Sequence, residues 1–182
     1  MTYYHGSPQG GLTILCPKET LYFKKPRQVC MTTLLPMALL YLVRHFEYTY
    51  GYTKDGQLYY EEYFPDALLE IYGGKAGWLY SCEPKDMKTT AIPKEVVSDI
   101  AVPVKTAVYL PDVYAALQEQ AALGRIRLIT YENLSDASRD WIIKAEAQEI
   151  RSRRLWEEET PMAGYYRRHY PQGWELACAE EI

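Results

Sequence analysis

The sequence has no long apolar run, and this shortage excludes the commonest kind of membrane protein. No stretch of the 182 residues approaches the roughly 18 consecutive apolar side chains that suggest a membrane-spanning helix. The N-terminal run MTYYHGSPQGG also lacks the basic start and apolar core of a secretory signal. We therefore expect a soluble, cytoplasmic protein with no membrane partner.

Cysteines are few and widely spaced, which argues against a disulfide scaffold and against a structural metal site. No CxxC pair occurs, and no histidine stands at a spacing that would complete a zinc site. We expect no bound metal and mostly buried thiols at Cys16, Cys30, Cys82 and Cys178.

Familiar nucleotide-binding and catalytic motifs are also missing. There is no GxxxxGK[ST] loop and no GxGxxG that opens a helix, so a Walker or Rossmann nucleotide site is not indicated. Neither GxSxG nor HExxH occurs, which removes the common serine hydrolase and zinc protease signatures. The formal net charge of -4 gives no general attraction for nucleic acid.

Tyrosine is what the chain has in excess, with 18 Tyr against 3 Phe. A tyrosine buries its ring but keeps a hydroxyl that needs a partner, so this usage suits a wet cleft, an interface or a half-exposed sheet. The apolar fraction of 48% and the chain length predict one main folded domain.

Strand and helix signals alternate irregularly along residues 1–134. Strands are predicted at 2–5, 28–32, 77–82, 100–110 and 125–131, and Asp55-Gly56 predicts a hairpin over 47–64. Helices are predicted over 34–46, 65–72 and 111–123. Irregular crossovers and a hairpin favour an α+β fold with a mixed or antiparallel split sheet and flanking helices.

The remainder of the chain, 135–182, is predicted to be a helical extension packed on an α+β core at 1–134. Ile143, Ala147 and Ile150 share one helical face, and Ser135 is a suitable N-cap for a helix that reaches about residue 158. The tail after Pro161 has no strong pattern.

One motif near the N-terminus is specific enough to suggest a family. The run Tyr4-His5-Gly6-Ser7 resembles the His-Gly-Thr or His-Gly-Ser strand of ADP-ribosyltransferases, as in the rifampin ADP-ribosyltransferases and the poly-ADP-ribose polymerase catalytic domain. Three later segments resemble the strands that follow in those families, in the same order: 29–33, 79–84 and 98–104. The likeness spans residues 3 to 110 and implies a split sheet of the ADP-ribosyltransferase type.

The resemblance implies NAD as co-substrate and assigns roles to individual residues. In the resembling families the histidine bonds the adenosine ribose, the glycine backbone holds the nicotinamide amide, and a helix aromatic stacks on the nicotinamide. That implies binding by His5, Gly6, Ser7 and Tyr41. The acid that steadies the ribosyl cation would be Asp86 by the rifampin-modifying pattern, which we prefer, or Glu132 by the polymerase pattern.

Three functions follow from these observations. The first is an NAD-dependent transferase that moves ADP-ribose to an unspecified acceptor, whether protein, nucleic acid or small molecule. The second is a catalytically inactive binding or protein-interaction module on the same fold, because many of the relatives have a tyrosine where Cys30 stands. The third is an unrelated α+β protein whose tyrosines serve an interface.

Overall fold

The computed structural model describes residues 1–18 and 27–179. The strands are β1 (Tyr3–Ser7), β2 (Ile14–Leu15), β3 (Val29–Thr32), β4 (Tyr50–Tyr52), β5 (Leu58–Glu61), β6 (Gly77–Cys82), β7 (Lys88–Thr89), β8 (Glu95–Ser98), β9 (Val102–Pro103), β10 (Thr106–Leu110) and β11 (Arg127–Ile129). The helices are α1 (Leu35–Leu40), α2 (Ala67–Tyr72), α3 (Val113–Ala122), α4 (Asp136–Ser152), α5 (Pro161–His169) and α6 (Pro171–Ala179). The predicted α+β class is confirmed. Within these residues, no helix is both long and apolar enough to cross a membrane.

The described residues fall into two compact units. The first unit consists of the described residues within Met1–Tyr48, Tyr52–Leu58 and Leu68–Arg127. The second unit consists of those within Thr49–Gly51, Tyr59–Ala67 and Leu128–Ile182. The first unit holds the six-stranded sheet, and the second holds α4, α5, α6 and most of a three-stranded sheet ordered β11-β5-β4. The domain boundary that the sequence suggests between residues 134 and 135 stays a prediction.

Strand β1 lies inside the six-stranded sheet, whose order is β10-β6-β1-β3-β8-β7. It pairs antiparallel with β3 at Tyr4↔Thr32 and with β6 from Tyr3↔Cys82 to Ser7↔Trp78. The first two strands that the sequence predicts are thus neighbours in one sheet. The strand, expected to stop close to His5, runs two residues further, because pairing with β6 carries it on through Gly6 and Ser7.

Gly6 is the point at which α1 packs on the sheet. A Cβ atom at Gly6 would overlap the backbone oxygen of Ala38 and lie 3.0 Å from Cβ of Leu42. A Cβ at Gly77 on β6 would overlap the side chain of the same Leu42. Since side chains alternate along a strand, these glycines open one face of the sheet to α1, and His5 projects from the other face.

Opposite α1, a cluster of buried side chains forms the core on the His5 face. Its members come from the central strands and from the small β2-β9 sheet, which pairs at Leu15↔Val102: Leu15, Val29, Met31, Tyr80, Cys82, Val96 and Val102. Tyr80 is the register partner of His5. The face from which His5 projects is therefore a packed apolar layer with a histidine in it.

Several local predictions are confirmed and others are not. Ser135 caps α4 as predicted, by accepting a hydrogen bond from the Ser138 amide at 3.1 Å, and α3 lies within the helix predicted over 111–123. The predicted helix at 34–46 ends at Leu40, where Val43 and several aromatic residues of lower helix propensity follow. Helix α4 ends at Ser152 rather than near 158, and the tail without a pattern forms α5 and α6.

The cysteine thiols are less buried than the sequence suggested. Cys82 is buried, and burial raises the pKa of its thiol to about 11. Cys30 is half-buried, whereas Cys16 and Cys178 are exposed. Their positions explain the difference, because Cys16 follows the two-residue strand β2 and Cys178 lies in the last turn of α6.

The contact at Gly6 makes a stability prediction. Gly6→Ala should lower the free energy of unfolding by about 1–3 kcal/mol, because the added methyl group forces α1 away from β1. Gly164→Ala in α5 is the control, since its Cβ meets nothing within 4 Å and alanine favours a helix by about 1 kcal/mol over glycine. Urea unfolding measures both, and an unchanged stability for Gly6→Ala would contradict the packing.

Candidate functional site

His5 bridges a gap that opens between β1 and β3. The register of these two strands consists of the single pair Tyr4↔Thr32, whereas β1 stays paired with β6 through Ser7. The ring Nδ1 of His5 lies 2.8 Å from the backbone oxygen of Cys30. The His5 side chain thus links β1 to β3 at a position where the two strands have no backbone register pair.

The bond to Cys30 fixes the tautomer of His5. A carbonyl oxygen only accepts, so Nδ1 carries the proton and donates it. Burial lowers the pKa of His5 below its usual 6.5, and the charge of Lys18 lowers it further, against an opposing effect of the bond to Cys30. The ring is therefore neutral at physiological pH, and its Nε2 presents a lone pair that can accept a hydrogen bond from a ligand hydroxyl.

The segment that follows the His-Gly-Ser motif is held on the same face of the sheet as His5. The buried hydroxyl of Tyr80 accepts from the Leu12 amide at 3.3 Å and donates to the Gln9 oxygen at 2.7 Å. Gly10 packs on the Trp78 indole so closely that a Cβ would lie 2.5 Å from its Nε1. The alternation in GWLYSC predicts this placement of Trp78 and Tyr80 on one face, but sequence reasoning missed their role.

Tyr41 directly follows α1, so it lies on the helix side of the sheet rather than on the His5 side. Its ring centroid is 5.1 Å from that of Tyr48, which lies 4.1 Å from the ring of His45. The structure therefore brings Gly6 close to α1, which ends just before Tyr41, and places the His5 ring on the opposite face of β1. A ligand that touches both His5 and Tyr41 has to pass through the gap between β1 and β3 or around the end of β1.

The two candidate acids are both exposed, in different units. Asp86 lies in the first unit between β6 and β7 with φ 59, beyond the end of the sheet at which β1 begins. Glu132 lies in the second unit within a 3-10 turn, Tyr131–Asn133. No described residue donates a hydrogen bond to either carboxylate. In the part of the chain that the structure describes, no group of three or more His, Cys, Asp and Glu side chains could hold a metal ion.

His45 belongs to the cluster that includes Tyr41 and is the most perturbed histidine of the first unit. Tyr72 donates its hydroxyl proton to the Leu40 oxygen at 3.2 Å, so it accepts from Nε2 of His45 at 3.0 Å. Nδ1 of His45 is buried, and no described residue donates to it. Burial lowers the pKa of His45 to about 4.

The lowered pKa of His45 predicts acid destabilisation. Because the folded pKa is about 4 and the unfolded value is 6.5, the unfolded chain binds more protons between these limits. The contribution of His45 to the free energy of unfolding should be fully present above pH 6.5. It should fall by up to about 3 kcal/mol as the pH drops toward 4. His45→Gln should flatten this dependence, and urea unfolding across that window measures it. An equally steep fall in the variant would show that other groups cause the loss.

No protein-family model, no curated protein and no solved structure matches this chain.

Proposed function

We propose that the chain binds NAD at the gap between β1 and β3 and transfers ADP-ribose from it to an acceptor nucleophile. The observation that carries the proposal is the fixed tautomer of His5, which leaves Nε2 as an acceptor for a ribose hydroxyl. The resemblance of Tyr4-His5-Gly6-Ser7 to the ADP-ribosyltransferase strand supports NAD as the ligand.

The backbone of β1 supplies a second group of contacts. Beyond Tyr4, the side of β1 that faces β3 has no register partner among the described residues. Peptide groups from His5 to Ser7 on that side can therefore bond a carboxamide, because its oxygen accepts from a backbone N–H and its NH₂ group donates to a backbone oxygen. Gly6 has an independent structural reason to be glycine, so His5 is the better probe of ligand binding.

The reaction needs little covalent chemistry from the protein. The glycosidic bond between nicotinamide and ribose breaks, and nicotinamide leaves with the electron pair, so positive charge develops on the ribose. The acceptor forms the new bond to that carbon and loses its proton. A carboxylate beside the ribose stabilises the cation, and Asp86 is favoured over Glu132 because it belongs to the same unit as His5.

One observation favours the catalytically inactive binding module as the second candidate. Cys30 occupies the position at which many of the resembling proteins have a tyrosine, and Tyr41 already packs on Tyr48. A nicotinamide pocket that lacks an aromatic wall holds the reactive pose less firmly. In that case NAD binds without release of nicotinamide.

The first test is NAD binding by His5 variants. Saturating NAD should stabilise the wild-type chain by about 2.7 kcal/mol at a hundredfold excess over its dissociation constant, seen as a higher melting temperature. His5→Asn should keep a donor for the Cys30 oxygen but lose the Nε2 acceptor, so it should fold normally and lose the shift. His5→Ala should lose both. A wild-type chain that shows neither a shift nor calorimetric heat with millimolar NAD contradicts the proposal.

Release of nicotinamide then separates the enzyme from the binding module. An active site should release nicotinamide slowly without an acceptor, since water intercepts the cation, and chromatography of the reaction mixture measures it. Asp86→Asn should abolish that release while NAD binding persists. Glu132→Gln is the matched variant, and if it alone stops release, the acid is Glu132 instead.

A further inference from the structure

The second unit contains an open pocket of about 260 Å³ that the proposed function does not use. It is lined by Glu61 at the end of β5 and by one side of the first turns of α4, namely Ala137, Ser138, Trp141 and Ile142. Its volume is below the 300–1,000 Å³ or so of pockets for drug-sized ligands. It therefore suits a group the size of one side chain.

The Glu61 side chain lines the pocket with a partly buried carboxylate. Partial burial raises its pKa, and no described residue gives it a hydrogen bond or an ion pair. Its neighbour Glu62 is almost fully buried but accepts a hydrogen bond from the Tyr131 amide at 3.1 Å. The Glu62 carboxylate therefore serves the fold, whereas that of Glu61 lines the pocket.

Trp141 forms the aromatic side of the pocket. Its side chain is 57% exposed, which is unusual for the largest apolar residue. The Tyr63 ring packs edge-on against the indole, with 6.0 Å between the ring centroids. The contact with Tyr63 restrains the indole while leaving much of it open to solvent. An oriented, exposed tryptophan beside an unpaired carboxylate is a site for a cation.

The same unit already contains one complete example of this arrangement. The Arg167 guanidinium lies 4.7 Å over the Trp174 ring and donates to the Glu159 carboxylate at 2.9 Å. In the pocket, Trp141 and Glu61 provide the ring and the carboxylate, and the cation is the missing third group. Arg139, also on α4, does not fill this role because the backbone oxygens of Tyr131 and Glu132 hold its guanidinium.

We propose that this pocket binds a guanidinium group, which packs on the Trp141 indole and pairs with the Glu61 carboxylate. A guanidinium is planar and weakly hydrated, so it stacks on an aromatic face and bonds a carboxylate at the same time, whereas an ammonium is a compact and strongly hydrated charge. The group arrives either on a free small molecule or as the arginine side chain of another protein. The proposed site belongs to the second unit and does not involve His5.

The test is a titration with N-acetylarginine amide, followed by the indole N–H resonance of Trp141. The chain has four tryptophans, so Trp141→Phe assigns the resonance. We expect a dissociation constant on the order of 1 mM for such a small probe. Glu61→Gln should weaken binding at least tenfold, and N-acetylcitrulline amide, which has the same shape without the charge, should not bind.

Asp140→Asn provides the matched control, because it removes the same charge from an exposed position of α4 outside the pocket lining. It should change the affinity less than twofold. An arginine-containing peptide that binds much more tightly than the amide, with the same loss in Glu61→Gln, assigns the group to a protein partner. Similar affinities for the two probes assign it to a small molecule. Absence of binding by both, or binding that survives Glu61→Gln, overturns the proposal.

Discussion

The close approach of α1 to β1 at Gly6 is the contact on which the first unit depends. A side chain at this position would occupy the same space as the backbone of Ala38, so the helix reaches the sheet only because the residue is glycine. Gly77 on the neighbouring strand makes room for Leu42 in the same way. The alternation of the strand then fixes the rest of the motif, since a helix on the Gly6 face puts His5 on the other.

His5 links β1 to β3 on the face of the sheet opposite α1. Its bond to the Cys30 oxygen crosses the gap between β1 and β3, and the Tyr80 hydroxyl holds the following loop on the same face. Burial keeps the ring neutral, and the bond decides which nitrogen carries the proton. The motif therefore contains Gly6, which the packing of α1 requires, and His5, whose Nε2 accepts no hydrogen bond from a described residue.

Sequence reasoning succeeded where a local signal decides the structure. Asp55-Gly56 predicted the hairpin of β4 and β5, and Ser135 predicted the start of α4, because turns and caps depend on a few adjacent residues. It failed where the local structure depends on residues that are distant in the sequence. The extension of β1 to Ser7, the half-buried Cys30 and the pocket at Glu61 all depend on pairing and packing across the chain. The exposed Trp141 within a charged helix was a signal for that pocket, and it was missed.

In the function proposed above, Nε2 of His5 accepts a hydrogen bond from a ligand hydroxyl. Long-range proton–nitrogen NMR of the imidazole rings tests it directly, because a protonated ring nitrogen and a bare one resonate far apart. At neutral pH, His5 should show a protonated Nδ1 and a bare Nε2, and NAD should shift the Nε2 signal while leaving that of His45 unchanged. A proton on Nε2 in the free protein, or an Nε2 signal that does not respond to saturating NAD, would contradict the account.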